Sequence, residues 1–223
     1  MIVPPEKLLV PRYPAPLPAI DGAKVSERDP VSETHRSVTC QAAFAAAMGP
    51  WWREGMGVLD LGCGTGRFAN FLAGRIRRFR YWGTELPQAA VQLRPRWWVR
   101  FNDPRIAFGL ARGSEEKEGI DSATVGLLLS VLTHLPIQSL TTTLDRLLPI
   151  AERGGALVFS IFLAPCAREG RPKPTAGCPY FREVFYTWPD LLSLTQPLGL
   201  RVKRVGTFPD RDYVHVICRA TLA

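Results

Sequence analysis

The sequence predicts an α/β fold: a doubly wound, mostly parallel seven-stranded sheet with helices on both faces and a C-terminal antiparallel hairpin. Three observations carry this. Short apolar runs alternate with helix-length segments from residue 57 onward, one of those runs passes into a glycine-rich turn, and the chain closes on two strand-like runs joined by a short loop around Pro209. At 223 residues, with 46% hydrophobic and 22% charged side chains and a mean hydropathy near zero, the composition is that of a single globular domain with a real core.

Taken in order, the first 30 residues hold seven prolines, and their acidic and basic side chains cancel, so 1–31 reads as an extended arm preceding one domain over 32–223. Its prolines also interrupt any apolar stretch that could serve as an export signal. Residues 32–48 are alanine-rich and stop at Gly49-Pro50, which predicts a helix. Strands are expected at 57–61, 80–85, 105–110, 124–131 and 155–163, and helices at 66–78, 87–99, 137–151 and 188–198. Arg201–Thr207 and Tyr213–Thr221 form the closing hairpin. The apolar runs Gly126–Leu132 and Ala156–Pro165 are far shorter than the roughly 20 residues a spanning helix needs, so no membrane partner is expected. The five cysteines are scattered and never form a CxxC pair, which argues against a disulfide framework or a zinc site and fits a cytoplasmic protein.

The net charge of +8 is concentrated: between Arg67 and Arg105 nine arginines face only Glu85 and Asp103. Such a segment can be a solvated face, the contact of a homo-oligomer or a grip on nucleic acid, and its place on the fold decides among them.

The most informative segment is Val58-Leu59-Asp60-Leu61-Gly62-Cys63-Gly64-Thr65-Gly66-Arg67-Phe68, a strand, a glycine turn and a helix start. Glycines at 62, 64 and 66 allow a tight turn and let a ligand approach the backbone. A dinucleotide fingerprint would place its third glycine at 67, where Arg67 stands, and no Gly-Lys-Ser/Thr of a Walker loop is present. The spacing D-x-G-x-G-x-G resembles that of the class I S-adenosylmethionine-dependent methyltransferases of small molecules. The resemblance extends over about residues 55–221: Glu85 ends the second strand 23 residues after Gly62, Leu129–Pro136 looks like the fourth strand and its turn, and Gly154-Gly155 precedes the fifth strand.

That resemblance implies a Rossmann-like methyltransferase fold, S-adenosylmethionine as cofactor, and a cofactor site at Asp60, Gly62, Cys63, Gly64, Thr65, Gly66, Glu85, Leu86, Ala111 and Ser130, with Glu85 on the ribose hydroxyls. The family usually has an acid after the third strand near the adenine amino group; here stand Phe108–Gly113, with Glu115 as a more distant substitute. Thr124 replaces a common acid at the start of the fourth strand. The chain lacks the (N/D)PP(Y/F) segment of base-amino methyltransferases, the paired glutamates of protein arginine methyltransferases and the acidic cluster of metal-dependent catechol-type enzymes. No metal is therefore expected. In this fold the arginines of the basic segment fall largely at the edge away from the methyl donor, which disfavours nucleic acid as the acceptor.

Methyl transfer is an in-line displacement that mainly needs alignment and desolvation, and a hydroxyl acceptor also needs a base. His134, after the fourth strand, is the first candidate, against a structural role in the turn before Pro136; His35 in the N-terminal region is the second; His215 inside the last strand reads as structural. The insertion Ala164–Thr187 reads either as a surface loop covering the core or as an acceptor lid, with Tyr180, Phe181, Phe185 and Tyr186 against the substrate and Thr187 capping the next helix. The expected reaction is methylation of a small molecule, at oxygen rather than nitrogen or carbon. The other readings are a methyltransferase of RNA or protein, or a non-catalytic cofactor-binding partner subunit.

Overall fold

The computed structural model describes residues 40–87, 89–90, 102–169, 183–210 and 213–223. The arm 1–31, His35, Arg94, Arg96, Arg100, Tyr180 and Phe181 lie outside the described residues.

Residues 40–48 form helix α1, followed by β1 (Met56–Leu61), α2 (Arg67–Ala73), β2 (Phe79–Glu85), β3 (Ile106–Leu110), α3 (Ser114–Ser122) and β4 (Val125–Leu128). Then come α4 (Ser139–Glu152), β5 (Ala156–Leu163), β6 (Arg168–Glu169), β7 (Val184–Tyr186), α5 (Trp188–Thr195), β8 (Leu200–Asp210) and β9 (Tyr213–Leu222). The parallel strands run in the order β3-β2-β1-β4-β5, β9 lies antiparallel along β5, and β8 pairs with β9. This is the expected seven-stranded sheet. Two short strands from the insertion extend it: β7 pairs parallel with the end of β5, and β6 pairs antiparallel with β7.

Every residue of β1 and β4 is buried, as expected of strands covered on both faces. Alternate side chains take opposite sides. Val58, Tyr81, Leu127 and Val158 pack with Phe44 and Met48 of α1 and Phe68 and Phe71 of α2. Leu59, Trp82, Leu128 and Phe159 pack with Leu140, Leu144 and Leu147 of α4 and Leu191 of α5.

The sequence predicts no helix at 114–122, yet α3 is there, with only Glu116 and Gly119 of its residues buried. The reason is the way it touches the sheet. A Cβ at Gly119 would lie 2.8 Å from Leu59 Cδ1 and 3.1 Å from Trp82 Cβ, so the helix seats on a bare backbone rather than an apolar stripe. Its other buried contact is an ion pair between Glu116 and Arg146 of α4. The helix expected over 66–78 ends instead at Gly74, where Arg75 donates to the Phe71 carbonyl at 3.2 Å and lies over the Phe71 ring. Thr187 caps α5 as expected, its hydroxyl accepting the Asp190 N–H at 3.1 Å.

Candidate active site

The carboxyl ends of β1, β2, β3 and β4 bring the ten sequence-predicted cofactor residues to one edge of the sheet. Gly62, Gly64 and Gly66 have φ of +71°, +54° and +73°, so each turn of the loop needs the left-handed backbone that only glycine takes without strain. Gly62 and Cys63 both donate to the Thr84 carbonyl, at 2.8 and 3.1 Å, which ties the loop to the end of β2; Thr65 completes the loop before Gly66 opens α2. A Cβ at Gly64 would meet nothing within 4 Å, whereas one at Gly62 would lie 2.6 Å from Val131 Cγ2. The first glycine keeps the turn after β4 close, and the second has open space where a side chain would stand.

Glu85 holds this loop from the next strand. One carboxylate oxygen accepts from Gly64 N–H at 2.7 Å and the other from Leu86 N–H at 3.1 Å, and the Glu85 carbonyl accepts from Ala111 after β3 at 2.8 Å. The Leu86 side chain is exposed beside it. Burial raises the Glu85 carboxyl above its ordinary range, although the two N–H bonds oppose the shift.

Asp60, at the end of β1, is buried and accepts the Tyr81 hydroxyl at 2.5 Å. Its Oδ1 has no hydrogen-bond partner among the described residues. Burial first, and then the nearby Glu85 charge, push Asp60 up to about 7 against the pull of the Tyr81 bond. The same burial, with the charges of Asp60 and Glu85, drives the Cys63 thiol well above its ordinary value. Asp60 is buried and Glu85 half-buried, and burial raises both carboxyls, so the pair would complement a cationic ligand.

Ser130 follows β4 with a φ of +58°, uncommon for a residue with a side chain. Its N–H donates to Ser160 Oγ at 3.0 Å and its carbonyl accepts from Thr133 Oγ1 at 2.8 Å. His134 sits half-buried in the same turn, its N–H on the Val131 carbonyl at 3.0 Å. The described ends of the insertion bond to this turn and the residues after it: Val184 N–H donates to the Thr133 carbonyl, and Glu169 accepts from Ile137 N–H at 2.7 Å. Phe185 packs on Phe162 with ring centroids 5.4 Å apart. Tyr186, expected against the acceptor, is wholly buried with its hydroxyl on the Leu132 carbonyl at 3.2 Å, so it supports the turn from behind.

Sequence reasoning missed Tyr81, Thr84, Glu116 and Ser160. Glu116 catches the N–H of Arg112, the other described non-glycine residue with positive φ, at 2.8 Å. Tyr81, Thr84 and Ser160 act on groups from another element, so nothing local marks them, whereas Glu116 acts four residues back at the start of its own helix. Among the described residues no group of three His, Cys, Asp or Glu side chains could hold a metal, and no helix is long and apolar enough to cross a membrane.

The family model described as a methyltransferase domain matches residues 33–211. No curated protein sequence matches the chain. Among solved structures, magnesium protoporphyrin IX methyltransferase from Synechocystis PCC 6803, with bound S-adenosylmethionine, has a TM-score of 0.58 at 17% identity, covering 89% of this chain and 86% of that one. The 1,6-didemethyltoxoflavin N1-methyltransferase of Burkholderia thailandensis, with its acceptor and S-adenosylhomocysteine, has a TM-score of 0.60 at 20% identity, covering 87% and 82%. An O-methyltransferase from neocarzinostatin biosynthesis has a TM-score of 0.56 at 19% identity; 87% of this chain aligns, but only 59% of that longer one. At these identities the likeness is one of fold.

Proposed function

The chain belongs to the methyltransferase domain family, and from that premise we propose that it transfers a methyl group from S-adenosylmethionine to a small-molecule acceptor, at a hydroxyl oxygen. The observation that carries the reading is the carboxylate pair at the carboxyl edge: Asp60 with an unsatisfied oxygen, and Glu85 holding the Gly64 N–H where there is open space at the Gly64 Cβ position. These residues suit a ligand with a cationic amino-acid end and a ribose diol, Asp60 accepting from the ammonium and Glu85 from the hydroxyls. Bound there, the cofactor supplies an electrophilic methyl carbon on a sulfonium.

The protein's own part is alignment, exclusion of water and removal of one proton. The glycine loop and the turn after β4 form the floor. The antiparallel pair of β6 and β7, with the buried Phe185, borders the turn after β4. His134, on that turn, would take the acceptor's hydroxyl proton on an imidazole nitrogen as the carbon–oxygen bond forms and the methyl–sulfur bond breaks, the neutral thioether being the leaving group. A small acceptor fits this arrangement better than a polyanion, because Arg75, Arg77, Arg78, Arg80 and Arg105 cluster at the opposite end of the sheet, around the start of β2.

An acceptor screen read by mass spectrometry should find a product heavier by one methyl, formed equally well with a chelator present. With that acceptor, His134→Ala should lower turnover by about a hundredfold and leave cofactor affinity unchanged. Methylation at nitrogen or carbon only would remove the hydroxyl chemistry, and full activity in the variant would return His134 to a structural role in the turn.

A further inference from the structure

We propose that Ser160 and His215 are positioning residues for methyl transfer, holding the turn after β4 in a backbone conformation it would not otherwise keep. The inference rests on the methyltransferase reading above and adds to it two residues that touch neither cofactor nor acceptor.

The starting point is Ser130. A left-handed φ of +58° costs an ordinary residue free energy, so something must hold it there. Both of its backbone polar groups are held by side chains rather than by the sheet. The Ser130 N–H goes to Ser160 Oγ at 3.0 Å, and its carbonyl to Thr133 Oγ1 at 2.8 Å. Ser160 lies in the middle of β5 and Thr133 in the turn itself, and neither is exposed at all.

Ser160 Oγ is in turn 3.2 Å from His215 Nδ1, across the antiparallel β5–β9 pair. The imidazole cannot swing away from it. Its ring stacks on Phe208 at 4.2 Å with 13° between planes, and Phe162 lies against it at 4.5 Å. Phe208 packs in turn on Phe44 of α1. A histidine 1% exposed, fixed between two aromatic rings, therefore orients the hydroxyl that accepts the Ser130 N–H.

What depends on that N–H is the placement of everything on the turn. Val131, the next residue, stands where a Cβ on Gly62 would be, so the turn and the glycine loop touch. His134 follows through its bond to the Val131 carbonyl, and the insertion through Val184 to Thr133. If Ser130 relaxed to an ordinary φ, Val131 and His134 would shift relative to the glycine loop. Methyl transfer is sensitive to such displacement, since alignment is most of what the protein contributes.

Four variants test the assignment: Ser160→Ala, His215→Phe, which keeps the aromatic stack but not Nδ1, His215→Asn, which restores a polar atom near Nδ1, and Ser130→Gly, which takes a positive φ without strain. Amide exchange at Ser130, read by NMR, should quicken about tenfold or more in Ser160→Ala and His215→Phe and return toward wild type in His215→Asn. With an acceptor from the screen, turnover in the first two should fall about tenfold or more, while calorimetric affinity for S-adenosylhomocysteine stays within about threefold. Adding Ser130→Gly to Ser160→Ala should recover most of the lost turnover, which a mere packing defect would not allow.

Unchanged exchange at Ser130 in both Ser160→Ala and His215→Phe would overturn the proposal, as would faster exchange with unchanged turnover, or no recovery in the double variant. Failure of the wild type to bind S-adenosylhomocysteine would overturn the methyltransferase reading instead. The exchange result would then still report whether Ser160 and His215 hold the turn.

Discussion

The two ends of the sheet solve opposite problems. At the amino end, around the start of β2, polar contacts are exposed. Glu54 accepts from the backbone of Arg77 and Arg78, Arg80 reaches Glu118 at 3.6 Å, and Arg105 holds Asp103 and the Arg77 carbonyl. The Arg78–Glu54 and Arg80–Glu118 side chains are between 44% and 83% exposed, so water and salt screen them. At the carboxyl end, Asp60, Thr84, Glu116, Thr133, Ser160 and His215 are each at most 2% exposed. There, both described non-glycine residues with positive φ, Arg112 and Ser130, have their N–H groups caught by buried oxygens. The five described arginines at the amino end, 75, 77, 78, 80 and 105, lie away from the glycine loop, and the few buried polar groups lie where they shape loops. Charge density and functional density need not coincide.

That contrast can be broken, beginning with the glycine loop. Gly62→Ala combines a positive φ with a Cβ 2.6 Å from Val131, and should destabilise the protein by about 2–4 kcal/mol in denaturant titration. A change below about 0.5 kcal/mol would mean that the two loops are not in contact. Glu85→Ala should weaken S-adenosylhomocysteine binding by about 1–3 kcal/mol, because two hydroxyls lose a charged acceptor. Unaltered calorimetry in this variant would move the ribose away from Glu85.

Asp60 sharpens the comparison through pH. Its carboxyl, raised to about 7, is neutral in the free folded protein below that value and charged above it. A cationic ammonium beside it favours the charged form, so cofactor affinity should rise with pH through about 7 and level off above, by at most about tenfold per unit. Folding stability carries the opposite sign. The unfolded carboxyl ionises near 3.8 while the folded one keeps its proton, so between there and about 7 the Asp60 contribution falls as pH rises. Asp60→Asn should flatten both trends, and calorimetry and denaturation across pH 5–9 would read them.

The smallest effect belongs to the amino end. Arg80→Ala should alter stability by about 0.5 kcal/mol or less, and cofactor affinity not at all, since its partner Glu118 is itself exposed. A loss of turnover in this variant would show that the basic end takes part in the reaction.

Where the sequence was legible, a residue's own backbone or neighbours imposed the requirement. Gly62, Gly64 and Gly66 are readable because a left-handed backbone favours glycine unless, as at Arg112 and Ser130, other groups hold the residue there. Thr187 is readable because a cap acts on an N–H three residues away. The apolar runs of β1, β4 and β5 were readable because burial on both faces leaves a continuous mark. Helix α3 left none, because it meets the sheet through Gly119 and α4 through an ion pair, and β6 and β7 are too short to show a period.

The sequence by itself thus determined the order of the strands' chemistry: which loop bends left-handed, which carboxylate ends β2, and which histidine follows β4. Only the tertiary structure decided which distant groups hold those pieces in place. Tyr81 meets Asp60 because the parallel register sets Val58 beside Tyr81, and Ser160 meets Ser130 and His215 across separations of 30 and 55 residues. Local conformation is written in each residue's own steric limits. A hydrogen bond between strands depends on sheet order and register, which no single segment contains.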